Sequence, residues 1–218
     1  MCSRFSFIAT KEELEEKFNI TINNAIRQSY NVAPTQHAYI ITNDSKGRLQ
    51  YVTWGLIPYW SKDGRNTGKL INARCEGIMG QTSFRMPIRR QRCLVLADSY
   101  YVWKREGMNQ LPYRVKLKGN EIMVMAGIWD VWYKGDYALK SFSIITTAAN
   151  EEHRKLTSRM PLILPNETLQ QKWLGQLKVE ALHNMFVPLD EGHLEMYRIS
   201  DKINSLSHNS VELHKLVS

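Results

Sequence analysis

Hydrophobic positions along the chain fall into short runs that predict β-strands rather than long helices. Two pairs of these runs flank turn-rich residues and therefore predict hairpins, residues 37–42 with 48–54 and residues 113–117 with 121–129. Three more runs predict buried strands at residues 93–97, 142–146 and 161–165.

Helical patterns lie near the two ends of the chain. Thr10 and Glu13 form a capping-box pattern, and Leu14 and Phe18 follow at helical spacing, which predicts a helix over residues 11–18. Helical periodicity returns over residues 167–177 and 178–186. Because no repeat or linker interrupts the chain, we expect one compact β-rich α+β domain over residues 1–218, with barrel-like sheets and a few peripheral helices.

Composition changes this picture little. Hydrophobic residues make up 43% and charged residues 23% of the 218, which is typical of a globular protein. No run approaches the roughly 18 apolar residues that a membrane span needs, and the N-terminal segment turns acidic where a signal peptide would be apolar. We therefore expect a cytoplasmic protein without a membrane partner.

The cysteines and histidines argue against a metal centre. Cys2, Cys75 and Cys93 are widely spaced and odd in number, so we expect free thiols rather than a disulfide framework or a structural zinc site. The six histidines lack the HExxH spacing of zinc hydrolases. The sequence therefore predicts neither a metal nor a cofactor.

The net charge of +8 and the sequence pI of about 9.4 favour a polyanionic partner. No acidic residue occurs between Glu76 and Asp98, and four arginines fall in that stretch: Arg85, Arg89, Arg90 and Arg92. A second basic cluster contains Arg154, Lys155 and Arg159. The alternative is that both clusters are ordinary solvated loops.

Cys2 is the most informative single residue. If Met1 is removed, Cys2 carries an amine and a thiol on adjacent carbons, and such a group converts an aldehyde first to an imine and then to a thiazolidine ring. An α-amino pKa of roughly 7.7 to 8.0 leaves far more free base at neutral pH than a lysine near 10.4 does. The alternative is a cysteine that stands at a frayed chain end by accident.

Three further segments offer binding groups. In residues 70–77 a period of two places Asn72, Arg74 and Glu76 on one side of an extended strand, opposite Ala73 and Cys75. That polar face suits a sugar phosphate, or else it holds an internal Arg–Glu pair. The aromatic residues Trp54 and Trp60 can stack on bases or belong to the core, and Arg159 can reach a phosphate or lie idle on the surface.

Taken in order, these segments resemble the SRAP family of SOS-response-associated peptidases, or abasic-site processing proteins. The matching motifs are MCSRF at the start, YNVAPTQ (30–36), WGLIPYW (54–60), NARCEG (72–77), RQRCLVLADSYYVW (90–103), AGIWD (126–130), TTAAN (146–150) and RMPLIL (159–164). The resemblance implies a β-rich fold with a basic channel for single-stranded DNA. It also implies that the protein removes its own Met1.

The resemblance assigns roles to residues of this chain. Cys2 is the nucleophile that forms a thiazolidine with the ring-opened sugar of an abasic site, and Asn72 and Arg74 hold that sugar and its phosphates. Trp60 and Arg159 line the DNA channel. Arg4, Asn31 and Pro34 lie close by, and we add Arg85 from the first basic cluster to the DNA-binding residues.

Two positions depart from the family pattern. Val102 stands where the family has a glutamate, and Thr157 stands where it has a histidine. A positioned acid or base contributes about 10² to 10⁴ in rate, so the loss of both predicts slower chemistry unless other residues substitute. Glu76 and His153 are the candidate substitutes. Ser3 replaces the usual glycine, which limits how closely the backbone approaches the sugar.

Three functional hypotheses follow. The first is covalent capture of abasic sites in single-stranded DNA by a monomer that associates with the nucleoid when bound to DNA. The second is a degenerate relative that binds single-stranded or damaged DNA without efficient crosslinking, as Val102 and Thr157 suggest. The third is a cysteine peptidase that acts on other proteins, and the absence of a clear Cys–His pair in the sequence argues against it.

Overall fold

The computed structural model describes residues 2–217. Its strands are β1 (Arg4–Phe7), β2 (Ser29–Val32), β3 (His37–Thr42), β4 (Ser45–Trp54), β5 (Asn72–Arg74), β6 (Arg92–Ala97), β7 (Ser99–Glu106), β8 (Asn109–Leu117), β9 (Met123–Lys134), β10 (Tyr137–Ala148), β11 (Arg159–Pro161) and β12 (Leu194–Arg198). Its α-helices are α1 (Lys11–Phe18), α2 (Pro87–Arg90), α3 (Glu151–Arg154), α4 (Glu167–Leu174) and α5 (Val179–His183).

The strands form two sheets. One sheet has the order β12-β8-β7-β1-β2. The other has the order β11-β10-β4-β3-β6-β9, and a further pairing between β9 and β10 closes five of its strands into a barrel. Closure removes exposed strand edges. The predicted β-rich α+β fold with barrel-like sheets is therefore confirmed.

The N-terminal helix forms where its capping pattern predicts. The Thr10 side chain accepts from the Glu13 backbone N–H, the Glu13 carboxylate accepts from the Thr10 N–H, and Leu14 is buried. The later helices α4 and α5 are also present, although each is shorter than its predicted range. No helix within residues 2–217 is long and apolar enough to cross a membrane.

One predicted hairpin is correct and the other is wrong. β3 and β4 pair as an antiparallel hairpin. β8 does not pair with β9, because the turn at Lys118–Asn120 carries the chain from one sheet to the other. β8 instead forms a hairpin with β7, and β9 pairs with β6 and β10.

The predicted strand at 161–165 is shifted to Arg159–Pro161, and the residues after it are buried.

β10 organises the region that matters for function. Its carboxyl-terminal half runs parallel to β5, with Ile144 opposite Asn72 and Thr146 opposite Arg74. On the other side it runs antiparallel to β11, with Ala148 opposite Arg159. These pairings bring Asn72, Arg74 and Arg159 to the same end of one strand, although they lie far apart in the sequence.

Candidate active site at Cys2

Cys2 lies two residues before β1 and is 1% exposed. It belongs to a buried cluster that includes Phe5, Trp54, Tyr100, Val102 and Ile144. The thiol contacts the Arg4 carbonyl oxygen at 3.6 Å, and burial raises the pKa of Cys2 to about 12. The enclosed thiol is therefore protonated at neutral pH and needs a proton acceptor before it can act as a nucleophile.

Asn72 holds the backbone of Cys2. Its Nδ2 donates to the Cys2 carbonyl oxygen at 2.6 Å, which fixes the chain end relative to β5. Its Oδ1 is buried and has no hydrogen-bond partner among residues 2–217. An amide oxygen in this position is a vacant acceptor beside the reactive residue, and buried polar groups rarely remain unpaired without a functional reason.

The predicted alternation along 72–77 extends only part of the way. Ala73 and Cys75 are buried as expected. The strand ends at Arg74, however, and Glu76 lies in a single 3-10 turn, Cys75–Gly77, so the period of two does not govern its direction. The sequence pattern also allowed a salt bridge between Glu76 and Arg74. Glu76 does form a salt bridge, but with a different arginine.

That arginine is Arg159. Its guanidinium donates to the Glu76 carboxylate and also to the carbonyl of Thr146 at 2.6 Å. The contact with Arg159 lowers the pKa of Glu76, which keeps this carboxylate ionised. Arg74 is exposed at the end of the neighbouring strand. Two arginines thus stand on either side of the β10 terminus, and Glu76 neutralises one of them.

The two altered family positions lie in different surroundings. Val102 is buried in the Cys2 cluster on the same face of β7 as Tyr100. Thr157 is half-buried, and its hydroxyl donates to the Arg159 carbonyl at 2.8 Å. Neither side chain replaces the proton chemistry of a glutamate or a histidine.

His153 lies one turn before Thr157, as its spacing predicts. The Thr157 N–H donates to the His153 carbonyl at 3.1 Å, and the ring Nδ1 lies 3.4 Å from the Thr157 carbonyl. The ring is fully buried and stacks on Tyr100 with centroids 5.8 Å apart. Burial lowers the pKa of His153 to about 4, so the imidazole is neutral at pH 7.

Tyr100 was missed by sequence reasoning. Its hydroxyl is buried without a hydrogen-bond partner in the described chain. Burial raises the pKa of Tyr100 well above its ordinary value, and the ring belongs to the same buried cluster as Cys2. The available signal was its position two residues before Val102 on one strand, because that spacing puts both on the same face.

Arg4 and Asn31 have structural contacts. Arg4 donates to Asn31 Oδ1 at 2.9 Å and to the Ile203 carbonyl at 3.1 Å. The Asn31 Nδ2 donates to three carbonyls of the C-terminal segment, those of Ile203, Ser205 and His208. Together they tie β1 and β2 to that segment. Their predicted contact with DNA stays a prediction.

The remaining predicted residues are distributed over the surface. Trp60 is 49% exposed, whereas Trp54 is buried and donates from Nε1 to the Ile71 carbonyl. Pro34 is half-buried and lies beside Gly68. Arg85 is exposed. The predicted contacts of Trp60, Pro34 and Arg85 with DNA stay predictions.

The first basic cluster is smaller than the sequence predicts. Arg92 is 2% exposed, and its guanidinium donates to the backbone carbonyls of Trp173, Ile88, Arg89 and Gly175. It fastens α2 and the end of α4 to β6 and is not available to a partner. Arg89 and Arg90 are exposed.

The predicted removal of Met1 concerns a residue that lies outside the described part of the chain.

Fold and site define a barrel-based protein with a cysteine just before its first strand, held by an asparagine, and with two arginines beside the end of β10. The chain belongs to the SOS response associated peptidase (SRAP) family, whose model matches residues 1–206.

The relatives agree with this membership. The abasic site processing protein YoaM of Bacillus subtilis is 37% identical, over 98% of this chain and 97% of that protein. The abasic site processing protein HMCES of Gallus gallus is 27% identical, over 85% of this chain and 65% of that protein. A crystal structure of a protein from Bacteroides thetaiotaomicron matches with a TM-score of 0.87 and 28% identity over both full lengths.

Proposed function

We propose that this protein processes abasic sites in single-stranded DNA by capturing them covalently on Cys2 after Met1 has been removed. The observation that carries the proposal is the contact from Asn72 Nδ2 to the Cys2 carbonyl, combined with an Asn72 Oδ1 that has no hydrogen-bond partner within residues 2–217. One end of the amide fixes the nucleophile, and the other is free to accept from a sugar hydroxyl.

The chemistry follows from the aminothiol. The Cys2 amine adds to the aldehyde of the ring-opened sugar to give a carbinolamine, which loses water to form an iminium ion. The sulfur then bonds to the same carbon, the C=N electron pair returns to nitrogen, and the thiol proton is released. The products are a thiazolidine and one water molecule.

The DNA strand would pass the arginines at the end of β10. Arg74 is exposed and available, while Arg159 is available once a phosphate displaces Glu76. Half-exposed Trp60 offers a face on which an unpaired base can stack. If three or four phosphates are neutralised, log affinity should fall with log salt at a slope of about −2 to −3. Arg74→Ala should make this slope less steep and weaken binding to all DNA sequences alike.

A second candidate function is DNA binding without efficient crosslinking. It is favoured by Val102 and Thr157, which remove the family's glutamate and histidine from the Cys2 region. A general cysteine peptidase has less support, because such enzymes depend on a thiol of lowered pKa, whereas burial raises the pKa of Cys2 to about 12.

The deciding experiment mixes the protein with a single-stranded oligonucleotide that carries one abasic site. Intact mass first verifies that Met1 is absent. An adduct that survives denaturation and is lost in Cys2→Ala supports capture. Cys2→Ser keeps the amine, so it should give an adduct only when borohydride reduces the imine. DNA binding without any Cys2-dependent adduct would favour the second candidate.

A further inference from the structure

A cavity of about 510 Å³ lies at the end of the barrel where β3 turns into β4. The turn, the end of α2 and the loop that follows α4 surround it. Its lining contains four positively charged residues: Lys46, Arg89, Arg90 and Arg92. None of the described residues that line it is acidic. Cations from two distant segments of the chain therefore share one cavity.

Hydrogen bonds beneath the exposed cations hold this cavity in shape. Arg92 is 2% exposed, and its guanidinium donates to the carbonyls of Arg89 and Trp173, each at 2.8 Å. Asn43, in the turn after β3, accepts from the Arg92 N–H and donates to the Arg90 carbonyl, both at 2.9 Å. The turn, α2 and the end of α4 are thus fastened to one another, and the cavity is formed without a ligand.

The positive charge of the cavity has no counter-charge. No carboxylate within residues 2–217 forms an ion pair with any of its four cations. Asp44 lies next to Asn43 in the sequence, but it pairs with Lys140 at 3.6 Å. The carbonyls that accept from Arg92 carry no net charge. Since buried charges in proteins are as a rule paired, an anion in this cavity would supply the missing partner.

A phosphate group fits the donors of this cavity. Arg89 and Arg90 are exposed, and within the described chain they enter hydrogen bonds through their backbone and not through their guanidinium groups. Both guanidinium groups are therefore available to grip a pair of oxygen atoms, which is the geometry that phosphate offers. Lys46 is exposed as well and adds a third cation. Phosphate has enough oxygen atoms to engage several of these donors together.

The cavity is remote from Cys2. β4 begins at Ser45, beside the cavity, and ends at Trp54, which belongs to the Cys2 cluster. A strand of this length spans on the order of 30 Å at about 3.3 Å per residue. A phosphate in the cavity therefore cannot contact Cys2, and one DNA strand reaches both only if it extends over several nucleotides.

We propose that Lys46, Arg89 and Arg90 form a second binding site, for a phosphate group, at the end of the barrel remote from Cys2. The phosphate belongs either to a DNA strand or to a small molecule such as inorganic phosphate or a mononucleotide. Both sources present the same chemistry to the cavity. The site does not depend on the proposed capture of abasic sites, so the failure of one proposal leaves the other standing.

The test removes both arginine side chains in Arg89→Ala/Arg90→Ala. Their backbone carbonyls still accept from Arg92 and Asn43, and thermal unfolding verifies that the variant is folded. Fluorescence anisotropy measures binding of an undamaged single-stranded oligonucleotide of about 30 nucleotides, longer than the roughly 4–16 that one site covers. If the phosphate is that of DNA, affinity at low salt should fall at least about fivefold, and the slope against log salt should become less steep by about 1.4, from roughly 0.7 per phosphate.

The second arm of the test uses small phosphates. Calorimetry measures the binding of inorganic phosphate and of adenosine monophosphate to the wild-type protein and to the double variant in a phosphate-free buffer. If the natural ligand is small, the wild-type protein should bind one of these probes, the double variant should not, and their oligonucleotide affinities should be equal. Lys46→Ala, on a different segment, should weaken the same ligand in the same direction, so the test does not rest on one variant.

Lys17→Ala/Lys118→Ala is the matched control. It also removes two exposed positive charges, and these lie on α1 and in the turn after β8, away from the cavity. Its affinity for every probe should stay within about twofold of wild type, as expected for surface changes away from a site. An equal loss in control and test variants would show a general effect of net charge and overturn the site. Unchanged binding of all three probes by Arg89→Ala/Arg90→Ala would overturn it as well.

Discussion

The Glu76 carboxylate forms a salt bridge with the guanidinium of Arg159. The family resemblance assigns this arginine to DNA binding. A phosphate must compete with that carboxylate for the same nitrogen atoms. We expect Glu76→Gln to tighten binding to single-stranded DNA several-fold at low salt, because the competing charge is gone and Arg159 remains. If Glu76 were instead the substitute acid or base, the same variant would capture abasic sites more slowly without tighter binding.

Glu106→Gln is the matched control for this measurement. Glu106 is also exposed and also pairs with a cation, Lys104, but it lies at the turn between β7 and β8. Both variants change the net charge by one unit. Equal gains in affinity from the two would show that the effect comes from overall charge and not from freeing Arg159.

Asn72→Ala tests whether the hydrogen bond from Asn72 to the Cys2 carbonyl positions the nucleophile. The variant removes the Nδ2 donor at 2.6 Å from the Cys2 carbonyl and the Oδ1, which has no hydrogen-bond partner in the part of the chain that the structure describes. We expect capture of abasic sites to slow by about tenfold or more, since misplacing a nucleophile by about 1 Å can cost about 10²-fold. Affinity for undamaged single-stranded DNA should change little. Single-turnover kinetics measure the rate of capture. If Asn72→Ala captures abasic sites at the wild-type rate, Asn72 has no part in the mechanism.

Much of this fold is readable in the sequence because its signals are local. The capping box of α1 and the alternating residues of β3 and β4 specify structure through neighbours in the chain. The wrong hairpin at 113–129 has a different origin. Both strands are correct, but pairing depends on which sheet each strand joins, and no local pattern encodes that choice.

The site shows the same limit. The family motifs name Cys2 and Asn72, and the structure brings them into contact. The partner of Glu76 is Arg159, 83 positions away, because β5 and β11 flank β10. Tyr100 and His153 likewise meet only through packing. Contacts between distant segments are thus the part that the sequence alone does not supply.

Asn31→Ala should destabilise the protein rather than remove a DNA contact. The variant removes the hydrogen bonds that Asn31 makes with Arg4 and with the carbonyls of Ile203, Ser205 and His208, although Arg4 still donates to the Ile203 carbonyl. A hydrogen bond contributes about 0.5–1.5 kcal/mol net, so we expect the loss of several to lower the free energy of unfolding by about 1–3 kcal/mol in urea titrations. Asn184→Ala, at an exposed helix end, is the control and should change it by less than about 0.5 kcal/mol. Unchanged stability in Asn31→Ala would contradict the structural role.

Cys2 should resist alkylation in the folded protein. Its thiol is 1% exposed, and burial raises its pKa to about 12 against 9.0 for a free cysteine. Because the thiolate is the reactive form, iodoacetamide at pH 8 should modify Cys2 at least about tenfold more slowly in native than in urea-unfolded protein. Peptide mass mapping separates Cys2 from Cys75 and Cys93, which are also buried. Fast native labelling of Cys2 would show that the thiol is accessible and ionised.

Acid should destabilise the fold partly through His153. Burial lowers its pKa to about 4, against roughly 6.5 in the unfolded chain, so between these values the unfolded state binds a proton that the folded state does not. The free energy of unfolding therefore falls as pH decreases through this window. The groups that face the ring are Tyr100, the Thr157 carbonyl and Glu152, and none of them reverses this sign.

Urea titrations at pH 7 and pH 5 measure this effect. Between the two pH values the free energy of unfolding of wild type should fall by up to about 2 kcal/mol more than that of His153→Gln, at 1.36 kcal/mol per pKa unit. His214 and Asp98 titrate in both proteins, so they cancel in the difference, and equal losses would mean that His153 is protonated in the folded state at pH 5.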